Sequence, residues 1–297
     1  MANPIFDSLS PYIEQKRLPL IAEAVLKAKS ASLFNIQTGV KTSAALNLID
    51  TEVQFGDGLS CGWDEAGSNT LSQRIIETGH IKVNMAFCEK DMLKYWTQYA
   101  VRVAAGQKDL PFEEDFINDI LRHIKAALEK AIWQGDKSSS DPNLDKFDGL
   151  LKTLAAESTV NTVALTGNVD ADVMAMYNAI PVEVLDGASI VIGEDKFRAY
   201  VQALVAKNLY HYDPAAPVDR VYIPGTNVAV VAVGGLNGTN KMVAGQLDRN
   251  FVYGCDMQGD EEKFEFWYSQ DNREFRLAVE FNAGVNVARP DEVVYGA

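Results

Sequence analysis

Apolar residues recur at helical spacing in two places in the first half of this chain, and at alternate positions through most of the rest. The first helical stretch follows Pro19, where LIAEAVLKAKSASLF puts Leu20, Ile21, Ala24, Val25 and Ala28 near one face; it predicts a helix over Leu20–Ala31 within an arm that runs to Leu33. From Asn35 to Gly79 the pattern turns extended. TEVQF alternates, FGDGLSCGWDEAGSNT is a glycine-rich tip, and LSQRIIETGHIKVNMAF is a second extended run. This reads as a long two-stranded excursion, too polar to bury itself, that lies on something else. The second helical stretch is the clearest element. Between Glu113 and Trp133, residues Phe116, Ile117, Ile120, Leu121, Ile124, Leu128, Ala131 and Ile132 trace one apolar stripe. Glu113, Glu114 and Asp115 suit the positive end of the helix dipole, and Gly135 supplies the stop. Such a helix is about 32 Å long, enough to form the spine of a domain.

Beyond it, a polar loop leads to FDGLLKTL, and VNTVALTGNVDADVMAMYNAI reads as strand, turn and a helix from near Asp170. A strand over Ser189–Ile192 precedes a helix from Glu194, VAVVAV is a short buried strand, and GGLNGTNK is a glycine-rich turn. KFEFWYS and REFRLAVEF alternate around an Asp-Asn turn, and GVNVARPDEVVY closes the chain. No segment repeats at a fixed period.

Composition narrows the function classes. At 297 residues with 47% hydrophobic and 23% charged residues, the chain has an ordinary globular balance. No apolar run reaches the ~18 residues of a membrane span. The first residues show no leader pattern, so the expectation is a product made and kept in a cytoplasm. The net charge of −14 argues against tight nucleic-acid binding. Cys61, Cys88 and Cys255 are isolated and odd in number, the pattern of a reducing compartment.

Chemistry has few candidates. His80, His123 and His211 stand alone, and no metalloprotease, hydrolase, phosphate-loop or dinucleotide motif is present. The Glu113–Glu114 and Glu261–Glu262 pairs are explained by a helix start and by surface charge. The expectation is no catalytic, cofactor-binding or metal-binding residue.

The order of arm, long hairpin, spine helix, α/β segment and final β return resembles the major capsid proteins of tailed bacteriophages, with their Hong Kong 97-type fold. Three stretches carry the resemblance: KAIWQGD reaching FDGLLKTL, like that family's helix, glycine, loop and Gly-Leu-Leu-type strand; SIVIGEDKFRAYVQAL; and DEEKFEFWYSQDNREFRLAVEFNAGVNVARPDEVVYG. Together they span about residues 34–297. The resemblance implies an α+β fold with an N-terminal arm (1–33), an extended β-hairpin loop (34–83), a peripheral domain (84–165 and 256–297) around a spine helix (113–134), and an axial domain (166–255). The Gly234–Lys241 turn would meet a symmetry axis. It implies self-association into hexamers and pentamers of an icosahedral head, non-specific contact with packaged double-stranded DNA, portal and decoration proteins as partners, and a place in the virion after assembly in the host bacterial cytoplasm. Only a short arm precedes the hairpin, so scaffolding is expected from a separate protein. Lys41 and Lys82 border the hairpin, but nothing marks either as a cross-linking residue. Two alternatives stand beside this one. An encapsulin nanocompartment shell shares the fold, and a β-rich enzyme or carbohydrate-binding module is suggested by Trp63, Trp96, Trp133 and Trp267.

Overall fold

The computed structural model describes residues 20, 25–26, 28–55, 67–104, 112–210, 219–256 and 263–297. In chain order the elements begin with strands β1 (Asn35–Thr38), β2 (Ser43–Val53), β3 (Gly67–Glu77) and β4 (Gly79–Cys88), then helices α1 (Glu89–Ala104) and α2 (Phe112–Gln134). Next come α3 (Leu150–Ala156), β5 (Asn161–Val163), α4 (Val169–Ala179), β6 (Ser189–Gly193), α5 (Glu194–Ala206), β7 (Arg220–Tyr222) and β8 (Ala229–Val233). The chain finishes with β9 (Met242–Gly245), β10 (Phe251–Asp256), β11 (Lys263–Ser269), β12 (Glu274–Val287) and β13 (Val294–Gly296).

Three sheets result: β2–β3 alone; a six-stranded sheet in the order β5-β13-β9-β6-β8-β7; and a five-stranded sheet built on β12. β12 is long enough to hold partners in succession. β11 and β10 share one of its edges, while β4 takes the other through ten antiparallel pairs, and β1 adds to β10 in parallel. The spine helix α2 lies across this sheet as the period-3.6 stripe predicts. Ile117, Ile120, Leu121, Ile124, Leu128, Ala131 and Ile132 are buried in one cluster with Phe275, Leu277, Val279 and Phe281 of β12. The side chains of Glu113, Glu114 and Asp115 lie outside the described residues.

The six-stranded sheet is covered on both faces, and strand alternation assigns each face its core. Val191, Val231, Val233 and Val243 belong to the core of α2. Their neighbours Ile190, Ile192, Val230, Ala232 and Ala244 pack with Val173 and Met176 of α4 and Phe197, Tyr200 and Leu204 of α5.

Several elements differ from the sequence reading. FDGLLKTL contains a helix, α3, rather than a Gly-Leu-Leu-type strand, because Leu150 and Leu154, one helical turn apart, are both buried against the core. LSQRIIETGHIKVNMAF is two strands. The chain breaks at Thr78, so β4 has joined the β12 sheet from Gly79, before the expected loop boundary at 83. Helix α1 was not foreseen although its apolar residues, Met92, Leu93, Trp96, Tyr99, Ala100 and Val103, recur at helical spacing; Trp96 packs against the core while Tyr95 and Val101 are exposed. Within the expected Leu20–Ala31 helix, Leu20, Val25 and Leu26 are helical, and the chain has left the helix by Ala28. The Gly234–Lys241 turn starts inward and ends outward: Gly235 and Leu236 are buried, a Cβ on Gly235 would sit 2.3 Å from the Glu129 carbonyl oxygen of α2, and Asn237, Gly238 and Asn240 are exposed.

That inward turn meets a buried polar knot. The Glu129 carboxylate accepts from the Ser30 backbone N–H (2.9 Å) and the Ser30 hydroxyl (2.5 Å), and Trp133 Nε1–H donates to Ser30 Oγ (2.6 Å). The Gly235 backbone N–H also reaches Glu129, and Gln134 Nε2 donates to the Gly235 carbonyl at 2.6 Å. The segment leaving the arm, the spine helix and the six-stranded sheet are thereby joined at one carboxylate. Burial raises the Glu129 pKa above its ordinary value, although the Ser30 hydrogen bonds and Lys29 oppose that shift. The disfavoured form is the charged one. Its contribution to stability is therefore present below the ordinary value of 4.5 and is lost as pH rises through the raised native value. Replacing Glu129 by Ala should cost about 2 kcal/mol by orphaning the Ser30 donors, while Glu129→Gln should gain on the parent protein between about pH 5 and pH 8. Urea unfolding at both pH values measures this, and parallel stability curves for parent and Glu129→Gln would contradict it.

Candidate assembly surface

The hairpin β2–β3 is eleven residues on each side, about 36 Å if straight. Its register runs from Ser43↔Glu77 at the root to Val53↔Gly67 at the outer end. Paired residues share a face, so the register divides the ribbon cleanly. One face carries Ala44, Ile76, Leu46, Arg74 and Leu48, the other Ala45, Ile75, Asn47, Gln73, Ile49, Leu71 and Val53. Burial on the first face falls away outward: Ile76 and Leu46 are buried, in a small cluster with Val40, Val252 and Ala288, and nothing beyond Arg74 and Ser72 is more than exposed. The second face is exposed along its whole length. Ile75, Ile49, Leu71 and Val53 form an apolar stripe there, with Leu71 78% exposed and Phe55 beyond it 97% exposed. The polar pairs Asn47–Gln73 and Thr51–Asn69 alternate with these apolar residues, and among the described residues nothing packs on this face, so it is a candidate contact surface.

The root is held from several sides. Thr78 N–H donates to the Thr42 carbonyl at 2.9 Å, and the β12 amides Asn282 and Asn286 donate to the carbonyls of Lys41 (3.1 Å) and Ile75 (2.6 Å). Arg74 pairs with Glu157 at the end of α3, Glu77 with Lys137 (2.6 Å), and Asp50 with Arg289 (3.4 Å). The crossing of this root over the sheet needs two glycines placed directly opposite each other, Gly254 of β10 and Gly284 of β12. A Cβ on Gly284 would lie 2.1 Å from the Glu77 carbonyl oxygen, and one on Gly254 2.8 Å from Ile76 Cδ1. Beside the root, a groove of about 570 Å³ separates β1 from β2 and is lined by Asn35, Ile36, Gln37, Asn47, Arg249 and Arg289 among others.

The residues weighed for chemistry are scattered. His80 is on β4, His123 is exposed on α2 and 3.8 Å from Asp119, and His211 lies outside the described residues. Cys88 is exposed, Cys255 is buried in β10, and Cys61 and the Glu261–Glu262 pair fall outside the description. Trp133 is fully buried in the core, Trp96 packs against it, Trp267 is partly exposed on β11, and Trp63 is outside the described residues. These three tryptophans do not share a surface platform. Among the described residues no three His, Cys, Asp or Glu side chains converge as metal ligands. A second cavity of about 80 Å³ between α2 and β4 is lined by apolar residues with Lys82, Lys146 and Asn143, and neither cavity presents a His, Cys, Asp or Glu. No helix of the described residues is long and apolar enough to cross a membrane. The stripe was missed from sequence because its members come from two strands. IDTEVQF contributes Ile49, Val53 and Phe55 at even spacing, and only the pairing adds Leu71 and Ile75.

No protein-family model matches the chain, and no curated protein matches it in sequence. Solved structures do. The satellite phage P4 procapsid that includes the size determination (Sid) protein matches with a TM-score of 0.64 at 15% identity, over 95% of this chain and 90% of that one. The capsid of an empty GTA particle, computed with C5 symmetry, matches with a TM-score of 0.58 at 12% identity, covering 92% and 89%. A virus-like particle from Pyrococcus furiosus matches with a TM-score of 0.52 at 9% identity, covering 95% and 98%.

The glycine crossing yields a direct test. Gly284→Ala should destabilise the protein by about 2–3 kcal/mol, because the backbone of Glu77 and Thr78 must move to admit the methyl group. Ala at the exposed hairpin position Gln73 should be neutral within about 0.5 kcal/mol. Chemical denaturation reads both, and equal midpoints would show that the crossing is looser than described.

Proposed function

We propose that this protein, which has the fold of tailed-phage major capsid proteins, is a shell subunit of the Hong Kong 97 type whose work is self-association. The observation that carries this reading is the outer face of the β2–β3 hairpin, whose exposed Ile49, Val53, Leu71 and Ile75 are uncovered among the described residues. A neighbouring copy covers it in hexamers and pentamers of an icosahedral head that encloses double-stranded DNA, assembled in a bacterial cytoplasm and retained in the virion. In this arrangement the β2–β3 hairpin acts as the extended loop, the β12 sheet with α2 as the peripheral domain, and the six-stranded sheet with α4 and α5 as the axial domain. β1 and β4 thus leave the expected loop of 34–83, β10 leaves the expected axial segment of 166–255, and β5 and β13 join the axial sheet. A separate scaffolding protein, a portal and decoration proteins complete the particle. DNA is contacted without sequence preference, consistent with the net charge of −14. No catalytic group is assigned.

Many weak contacts suffice, because each subunit in a closed shell is held by several neighbours at once. Burying one Leu or Ile side chain contributes roughly 1.5–3 kcal/mol, so a stripe of five is ample for one contact of this kind.

A second reading has a specific support, the likeness to the virus-like particle from Pyrococcus furiosus. An encapsulin-type compartment uses the same association surface with a protein cargo in place of DNA. Particle contents separate the two. Nuclease-protected DNA inside particles from the native source supports the phage head, and a co-purifying enzyme supports the compartment.

Ile49→Asp with Leu71→Asp should leave the subunit folded, since both side chains are exposed, yet raise the concentration needed for particles at least about thirtyfold. Negative-stain imaging and native mass across a concentration series measure this. Deleting residues 55–70 should have the same consequence. Normal particles from either variant, or a monodisperse monomer from the parent under all assembly conditions, would refute the function proposed.

A further inference from the structure

We propose that the hairpin is a lever whose angle, above its packed root, is held by a clasp of ion pairs. This deepens the shell-subunit reading, on which its consequence for assembly rests, but the device is defined within one chain. Apolar contact between hairpin and body stops at Ile76, Leu46 and the partly buried Leu48. Outward from there the inward face is Asp50, Thr70, Glu52 and Ser68, which are polar. A groove of about 570 Å³ opens between β2 and β1, so on that side the ribbon is not backed by β1. Ion pairs flank the packed root and continue beyond it at Asp50. Arg74 reaches Glu157 at the end of α3, Glu77 reaches Lys137 in the loop after α2, and Asp50 reaches Arg289 after β12.

The three anchors lie on three different elements and pull on both strands of the ribbon. Arg289 is itself positioned: Glu292 lies 3.8 Å from its Nε and accepts from Arg249 at 3.0 Å. Below the clasp, the opposed Gly254 and Gly284 leave no Cβ to wedge against the root, so the backbone at Glu77 and Thr78 forms a close but smooth saddle. A ribbon fixed by part-exposed ion pairs above a glycine saddle changes angle when those pairs are exchanged for others. A neighbouring copy, or salt, supplies that exchange.

Spin labels at Asn69→Cys on the hairpin and Gln202→Cys on α5, in a Cys61→Ser, Cys88→Ser background, read the angle as an intramolecular distance when diluted into unlabelled protein. The clasped parent should give one narrow distribution at low salt. Arg74→Ala with Arg289→Ala should broaden it roughly twofold or shift its mean, and salt near 1 M, where the Debye length is about 3 Å, should do likewise to the parent but add little to the double variant. The charge swap Arg74→Glu with Glu157→Arg should restore the narrow distribution, which separates the clasp from a general loss of structure. An unchanged distribution in the double variant, or a broadening that the swap fails to reverse, would overturn the lever. Particle formation is scored separately, so a failed lever with normal particles leaves the shell function standing, and an intact lever without particles removes it.

Discussion

The architecture depends on one run of chain serving two sheets. β3 and β4 are separated only by Thr78, yet β3 pairs with β2 in a ribbon that leaves the body, and β4 pairs with β12 in the sheet beneath the spine helix. A strand cannot leave a sheet without lifting off its neighbours, and side chains below would block the lift. Gly254 and Gly284 sit opposite each other at that place, where a Cβ would collide with the hairpin root. The same strand that completes the core therefore projects the ribbon, and the ribbon's direction is inherited from the sheet rather than from a flexible linker.

The spine helix performs a comparable joining on its other side. Its apolar stripe covers β12, while Glu129 and Trp133 hold Ser30 from the N-terminal segment, and Gln134 holds Gly235 from the six-stranded sheet. A buried carboxylate is an expensive way to fasten three elements, because burial works against its charge. Its hydrogen bonds are directional, however, and a purely apolar contact would let the turn at Gly234–Leu236 slide along the helix. The rest of the six-stranded sheet needs no such device. Simple alternation sends successive residues of β6 and β8 into two different cores, fixing the register of both strands at once.

How far the sequence revealed this follows from the range of each interaction. The spine helix, α4, α5, β6, β8 and the β11–β12 hairpin are local patterns, in which spacing along the chain is also spacing in space. What was not legible depends on partners distant in sequence. The helical α3 was hidden by a short apolar run that suits strand or helix equally. The inward packing of Gly235 depends on Trp133 and Glu129, about a hundred residues earlier. The candidate surface was half legible. Alternation in TEVQF marked a strand, but the apolar residues of the outer face come together only when Ile49 and Val53 are joined by Leu71 and Ile75 across the ribbon, and they matter because no described residue of the body covers them.

That failure of coverage is best understood together with the charge. A subunit carrying −14 repels its own copies at long range, and the repulsion is screened beyond about 8 Å at physiological salt. A short-range apolar stripe set at the end of a projecting ribbon overcomes it only when the ribbon lies along a neighbour, since a glancing encounter covers one or two side chains and little else. In the proposed shell, repulsion between bodies and attraction along the ribbon act together as a geometric filter, favouring the orientation in which the full length of β2 and β3 is covered. The body also exposes single apolar residues such as Val182, Val205 and Tyr222, but scattered residues of this kind are ordinary on a protein surface. Gathering several of them on one directed element of the proposed shell subunit, and fixing that element's direction at its root, makes weak contacts between like-charged copies specific.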